Sequence, residues 1–271
     1  MAEYRLVAVD LDDTLLDSAL QVSPRTVRAL ARAREKGVIV TLATGRMFRS
    51  AAPIARRLGI DVPIITYQGA LVKHPLTGAE LLHRTLPNEV ARAIITRLQE
   101  YDHHINVYLD DRLCMEKLTP EGKRYADLSQ VEAYVVGDLL SFMGKRNPTK
   151  VLTIASEEKI LIQMRDLQAL FPAEQVHITR SKPYFLEFSH PLATKGQALQ
   201  YLATHYGIPR EAVMAVGDGY NDLDMVAYAG LGVMMGNARD EVKQYADFIT
   251  ASNDADGVAE AIERFILDGG G

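Results

Sequence analysis

Four short apolar runs in this chain each end abruptly in oxygen-rich residues. Leu6-Val7-Ala8-Val9 runs into Asp10-Leu11-Asp12-Asp13-Thr14, and Val38 to Ala43 runs into Thr44-Gly45-Arg46. Pro63-Ile64-Ile65 meets Thr66-Tyr67-Gln68-Gly69, and Ala212 to Val216 meets Gly217-Asp218-Gly219-Tyr220-Asn221-Asp222. Strands that stay apolar without alternating belong to a parallel sheet covered on both faces. Helices are predicted between them. Ser23-Pro24 reads as an N-cap followed by proline at the first helical position, with Gly37 as the stop. A second helix is expected from Met47 to Leu58, closed by Gly59. From residue 191 the style repeats. Helices are expected over 195–206, 222–229, 239–246 and 257–267, and strands over 212–216, 232–235 and 248–250.

The middle of the chain reads differently. A helix over 88–100 carries Val90, Ile94 and Leu98 at helical spacing. Ile105 to Leu109 and Leu113 to Met115, on either side of Asp110-Asp111, predict a β-hairpin. Further strands are expected near 132–136, 150–155, 176–180 and 184–189, with a helix over 157–170. Hairpins interleaved with helices describe an α+β insert, 86–188, set into an α/β domain formed by residues 1–85 and 189–271.

In an open parallel sheet, ligands bind just beyond the carboxyl ends of the strands. The four polar sets therefore meet at one edge, and their carboxylates crowd together. Like charges a few ångström apart raise one another's pKa, so such a cluster calls for a cation. Hard carboxylate oxygens with few His or Cys nearby favour Mg²⁺. Asp10 and Asp12, two residues apart at a strand end, can reach one site. A carboxylate can attack phosphorus to give an aspartyl-phosphate, and a second carboxyl can serve as general acid and base. Taken singly, each residue also has a plainer reading. Asp10 and Asp12 can form a solvated turn, and Thr44 can be a helix N-cap. Lys195 can be an exposed lysine, and Gly217-Asp218-Gly219 a bare turn. Tyr220 occupies what would be a ligand position of a calcium loop, which excludes that motif. Gly230 to Gly236 reads as a buried strand between turns, His103-His104 as a surface loop, and Met225 and Tyr228 as core.

Composition narrows the partners. A net charge of −5 gives no electrostatic footprint for nucleic acid. No run approaches the ~18 apolar residues of a membrane span, and Met1-Ala2-Glu3-Tyr4-Arg5 is too polar for a secretory signal. The single cysteine, Cys114, allows no intrachain disulfide and is expected to be a buried thiol in a reducing, cytoplasmic setting. Gly269-Gly270-Gly271 is expected to be disordered.

Asp10-Leu11-Asp12-Asp13-Thr14-Leu15 resembles the first signature of the haloacid dehalogenase superfamily, with Asp13 where Gly is usual. Thr44 in Ala43-Thr44-Gly45-Arg46 is similar to its second signature, and Lys195 in Ala193-Thr194-Lys195-Gly196 to its third. Gly217-Asp218-Gly219-Tyr220-Asn221-Asp222 matches the fourth, of the form GDGxND. The four occur in the family's order along the whole chain. The insert, between the second and third signatures, resembles the type 2 cap of the Cof-type subgroup. The resemblance implies a Rossmann-like core with a cap domain that selects substrate. It also implies a Mg²⁺-dependent phosphatase for a small phosphorylated metabolite, such as a sugar phosphate or a cofactor-precursor phosphate. In that reading Asp10 is nucleophile and metal ligand. Asp12 is acid/base and a metal ligand through its carbonyl, and Asp218 and Asp222 complete the metal set. Thr44, Lys195, Asn221 and the backbone at Leu11 and Gly45 bind phosphate, and Arg46 contacts the substrate. Arg180, Lys182 and Glu187 are further substrate candidates. A phosphomutase on the same fold and a non-enzymatic phosphoaspartate module are the alternatives. A monomer or weak homodimer is expected, without nucleic-acid or membrane partners. Tyr67-Gln68-Gly69-Ala70 departs from the family's Asn before that Gly, which leaves the substrate contact there open.

Overall fold

A computed structural model describes residues 4–268; the glycine tail lies outside the described residues. Contacts divide the chain into two compact units. The first comprises Met1–Gly45, Ala51–Leu82 and Thr194–Gly271, and the second Arg46–Ser50 and His83–Ala193.

The chain opens with β1 (Leu6–Val9), α1 (Pro24–Glu35), β2 (Ile39–Leu42), α2 (Phe48–Arg57), β3 (Ile64–Thr66), β4 (Leu71–Lys73) and β5 (Glu80–His83). It continues with α3 (Asn88–Gln99), β6 (His104–Leu109), β7 (Arg112–Met115), α4 (Pro120–Ser129), β8 (Ala133–Val135) and α5 (Leu139–Met143). Then come β9 (Lys150–Ile154), α6 (Glu157–Leu170), β10 (His177–Thr179) and β11 (Phe185–Ser189). It closes with α7 (Lys195–His205), β12 (Val213–Gly217), α8 (Leu223–Tyr228), β13 (Leu231–Met234), α9 (Asp240–Lys243), β14 (Phe248–Ile249) and α10 (Gly257–Ile262).

The first unit is built on a five-stranded sheet in the order β14-β13-β12-β1-β2, with every pairing parallel. All four residues of β1 and all five of β12 are buried, as strands covered on both faces must be. The apolar core joins Leu6, Ala8, Val213 and Ala215 of the sheet to Leu199, Leu202 and Met225 of α7 and α8. Burial of a Leu or Val side chain contributes roughly 1.5–3 kcal/mol each. Helix α1 starts as its sequence dictates: Ser23 Oγ accepts from Thr26 N at 3.1 Å, Pro24 holds the first position, and Gly37 turns the chain out at φ +83°.

β3 departs from expectation. It joins β2's extension only through a parallel bridge, Ala43 to Ile65, and otherwise belongs to a separate three-stranded sheet, β3-β4-β5. The chain reverses at residues 67–69 and β4 returns antiparallel on β3, so β3 is not a full member of the main sheet.

The second unit holds a six-stranded sheet in the order β10-β11-β9-β6-β7-β8, antiparallel except for β7 with β8. The hairpin turn falls on Asp110 and Asp111, both left-handed at φ +53° and +54°, the backbone that a two-residue type I′ turn demands. Its core packs Ile94, Ile95 and Leu98 of α3 and Ile160 and Leu167 of α6 on Val107, Val151, Leu186 and Phe188. Cys114, on β7, is buried, and burial pushes its thiol pKa up.

Candidate active site

The register of the parallel sheet brings distant carboxylates together. Val9 pairs with Val216 on one side and Leu42 on the other, so Asp10, Gly217 and Ala43 leave the sheet level with one another. Asp10 N donates to the Val216 carbonyl at 2.9 Å, and Ala43 N donates to that of Val9 at 2.9 Å. Past Asp10 the backbone turns tightly. Asp12 stays extended and Asp13 goes left-handed at φ +59°. Asp10 is 5% exposed and Leu11 fully buried, whereas Asp12 is half-buried and Asp13 exposed.

Lys195 overturns its plainer reading as a surface lysine, for it is wholly buried. It begins α7, and its Nζ donates to Asp10 Oδ1 at 2.5 Å and to Asp222 Oδ1 at 2.6 Å. The other oxygen of Asp222 accepts from Asp218 N at 3.0 Å and Gly219 N at 2.9 Å, which closes the 217–222 turn. Thr14 Oγ1 donates to Asp218 Oδ1 at 2.9 Å. Carboxylate oxygens of Asp10, Asp218 and Asp222 all lie within 4.8 Å of one another. Asp12, the other expected acidic residue, is not in that group.

Three carboxylates against one ammonium leave an excess of two negative charges in a buried site. The consequences appear in the pKa values. Burial, then Asp222, pushes Asp10 well above the usual carboxylate range, although Lys195 pulls it down. Asp218 is pushed up to about 6 by burial and by Asp222. For Lys195, burial favours the neutral amine, but Asp10 and Asp222 outweigh it and hold the ammonium above the usual lysine value. A hard divalent cation fits this donor set: it brings two positive charges to oxygen-only ligands that otherwise ionise reluctantly.

The start of α7 is held from two sides. Gly196 N donates to Asp224 Oδ2 at 2.8 Å. Gly69, at φ +98°, lies so close that an added Cβ would stand 2.1 Å from the Thr194 carbonyl oxygen. Thr44 is buried, its N–H donates to the Ile65 carbonyl at 2.9 Å, and α2 begins only at Phe48, so Thr44 is no N-cap. Asn221 is exposed and donates through Nδ2 to Gln68 Oε1 at 3.2 Å. Arg46 follows Gly45 and groups with the second unit. Thr14, Gln68 and Asp224 acquire partners here that single-residue reading did not assign. Thr14 and Gln68 sat inside quoted segments, whereas Asp224 carries no local signal.

The second unit has a cavity of about 840 Å³ lined by His104, Arg124, Tyr125, Lys159, Tyr184 and Phe185 among others. His104 is not in a surface loop. It opens β6, is buried, and pairs through Nε2 with Asn106 Oδ1 at 2.7 Å and through Nδ1 with Thr119 Oγ1 at 2.8 Å. His103 meets Gln163 Nε2 through Nδ1 at 2.6 Å. Of the further substrate candidates, Glu187 is buried in an ion pair with Lys150 at 2.9 Å. Arg180 pairs with Glu157 at 3.6 Å.

Comparison with known proteins gives concordant matches. The family described as haloacid dehalogenase-like hydrolase matches residues 7–262. The 5-amino-6-(5-phospho-D-ribitylamino)uracil phosphatase YitU of Bacillus subtilis (strain 168) is 31% identical, over 96% of this chain and 97% of that protein. A second phosphatase of that description from the same organism, YwtE, is 31% identical over 97% and 98%. The crystal structure of a haloacid dehalogenase-like hydrolase from Bacteroides thetaiotaomicron superposes with a TM-score of 0.90 at 34% identity, covering 97% of this chain and 100% of that one.

Proposed function

This chain belongs to the family of haloacid dehalogenase-like hydrolases, and from that premise we propose a Mg²⁺-dependent phosphatase that works through an aspartyl-phosphate on Asp10. The observation that carries the reading is the buried ammonium of Lys195 shared by Asp10 and Asp222, with Asp218 inside the same 4.8 Å cluster. An anionic nucleophile and an anionic substrate repel each other unless positive charge lies between them.

Asp10 attacks phosphorus through one carboxylate oxygen; the new O–P bond forms as the bond from phosphorus to the leaving oxygen breaks. Lys195 neutralises Asp10 and a phosphoryl oxygen during the attack. Asp12, next but one along the turn and half-buried, donates its proton to the leaving oxygen. It then takes a proton from the water that attacks the aspartyl-phosphate. The O–P bond breaks, inorganic phosphate leaves, and Asp10 is restored. Thr44, Asn221 and the N–H groups of Leu11 and Gly45 donate to phosphoryl oxygens. Asp10, Asp218 and the carbonyl of Asp12 are assigned to Mg²⁺, with Asp222 beyond them, since Lys195 and two backbone N–H groups already occupy its oxygens. When bound, the cation supplies charge neutralisation for nucleophile and phosphate together.

The substrate is a small phosphorylated metabolite. The two ribitylaminouracil phosphatases place a cofactor-precursor phosphate first in the series to test. The second unit, 86–188 by sequence, is assigned the choice among substrates, and Arg46 a contact with the substrate. The test is release of inorganic phosphate from a panel of phosphorylated metabolites, with Mg²⁺ or EDTA, by wild type and Asp10→Asn. Mg²⁺-dependent release that disappears in the variant supports the reading. Release undiminished in Asp10→Asn or in EDTA refutes it.

A further inference from the structure

Resting on the phosphatase reading, we propose that Gln68 is a phosphate-binding residue: its side-chain amide nitrogen donates to a phosphoryl oxygen beside Gly45. Three observations lead there. First, the segment is held in an unusual backbone. Tyr67, Gln68 and Gly69 are consecutively left-handed at φ +52°, +56° and +98°. Left-handed backbone is unfavourable for side-chain-bearing residues and persists where surrounding contacts enforce it. Here Gln68 N donates to the Thr44 carbonyl at 3.0 Å, and Gly69 packs on the Thr194 carbonyl. The turn is thus wedged between two segments assigned to phosphate, Thr44-Gly45 and the start of α7.

Second, the carboxamide is aimed. A Cβ built on Gly45 would stand 2.5 Å from Gln68 Nε2, 2.9 Å from Cδ and 3.4 Å from Oε1, so the nitrogen end lies over Gly45. The oxygen end accepts from Asn221 Nδ2 at 3.2 Å. That bond orients the amide: with Oε1 engaged as acceptor, Nε2 is left as the donor end. Third, Gln68 is only 9% exposed, and among the described residues its amide nitrogen meets no acceptor. The amide nitrogen keeps its donor capacity for an incoming group, and an anionic oxygen at this position would meet it with a charge-assisted bond. Its neighbours, Gly45 and Asn221, are both phosphate candidates, which is why the phosphoryl group and not the leaving group is its partner.

Gln68→Met keeps the length of the side chain and removes the donors; Gln68→Glu keeps the shape and presents an anion. The inhibition constant for inorganic phosphate and KM for two substrates with unlike leaving groups would be measured for each. Loss of a charge-assisted hydrogen bond corresponds to about tenfold or more in affinity. The expected result is an inhibition constant raised about tenfold in Gln68→Met and further in Gln68→Glu, with KM raised by a like factor for both substrates. A phosphate constant within twofold of wild type in both variants, or a defect confined to one substrate, overturns the proposal. In wild type, the Gln68 side-chain NH₂ resonances, identified by their absence in Gln68→Met, should shift on phosphate addition, and a null result there also overturns it. If Gln68→Met fails to fold, Gln68→Glu, which also lacks the NH₂ group, supplies the assignment. The two failures are separable: wild type that turns over without help from Gln68 sinks this inference alone. Wild type that neither turns over nor binds phosphate sinks the phosphatase reading with it.

Discussion

Replacing Lys195 by Met should destabilise the protein in a pH-dependent way. The side chain is wholly buried, and its ammonium serves two buried carboxylates at 2.5 and 2.6 Å. Methionine fills similar volume, so the loss is electrostatic: Asp10 and Asp222 stay buried without their counter-charge. Removing one partner of a buried ion pair costs about 3–5 kcal/mol, which for a domain of this size lowers Tm by roughly 10 °C. The sign with pH follows from the shifts. In wild type the raised Lys195 pKa makes its contribution complete below the ordinary lysine value, and it fades only as pH rises through the higher folded value. Across pH 5–8 the titration of Lys195 itself therefore adds no pH dependence. Asp10 is already raised by burial and by Asp222, and Lys195 lowers it. Without Lys195 it rises further, so the folded variant binds more protons than the unfolded chain, and its stability falls as pH rises. The deficit should be largest at pH 8 and smaller at pH 5. Thermal unfolding in EDTA, followed by circular dichroism because the chain has no tryptophan, measures both. A variant within 2 °C of wild type at pH 8, or a deficit that grows toward pH 5, refutes the argument.

Gly69→Ala should cost about 2–3 kcal/mol, since the new Cβ meets the Thr194 carbonyl at 2.1 Å and φ is +98°; a denaturation midpoint near wild type would contradict it. Lys150→Met should destabilise by about 3–5 kcal/mol because Glu187 is left buried and unpaired, and adding Glu187→Leu should recover most of that; additive losses in the double variant would refute the coupling. Mg²⁺ affinity measured by calorimetry should weaken at least about tenfold from pH 8 to pH 5, because Asp218 at about 6, and Asp10, itself raised, must lose their protons to bind the ion; a flat profile would exclude Asp218 as a ligand. Asp10→Asn should raise Tm in EDTA at pH 8, since the raised Asp10 pKa means that its ionised form is disfavoured there, and the gain should vanish on Mg²⁺ addition. A lower Tm in EDTA would show that pairing with Lys195 outweighs burial.

Much of the fold was legible because strong local signals agreed with tertiary context. Ser23-Pro24 with Gly37 delimits α1, and the helix expected over 157–170 is α6, Glu157–Leu170. Helix α4 was not legible, although Thr119-Pro120 carries the same start signal as Ser23-Pro24. Its buried residues are only Gly122 and Ala126, too small to make an apolar stripe, and α5 is too short to show a period. Strands β4 and β5 were hidden for another reason: β5 buries no residue fully and so lacks alternation. The acidic turns were legible from their composition, but Lys195 only through its resemblance to the third signature and not from its own residue type. Lysine composition argues for exposure, and only the two carboxylates, 185 and 27 positions away in sequence, make its burial tolerable. His104 was misread for the same reason, since its partners Asn106 and Thr119 become visible only once β6 and α4 are in place.

The cluster carries more negative charge than its one lysine can balance, and the fold must hold that excess against repulsion. Parallel pairing supplies the means. With Val9 locked between Val216 and Leu42, Asp10 and the 217–222 turn cannot move apart without breaking the parallel pairing. The apolar core beneath therefore offsets the local cost of two raised carboxylates, Asp10 and Asp218. That cost is useful only if something positive enters. A site with three carboxylates and three ammonium groups would be stable and inert, since neither a cation nor a phosphate would gain by binding. With one ammonium, the metal-free site is poised to take a divalent cation. A divalent cation would bring the cluster to neutrality, and in the proposed mechanism that neutrality, with the ammonium beside Asp10, is what lets an anionic phosphoryl group approach.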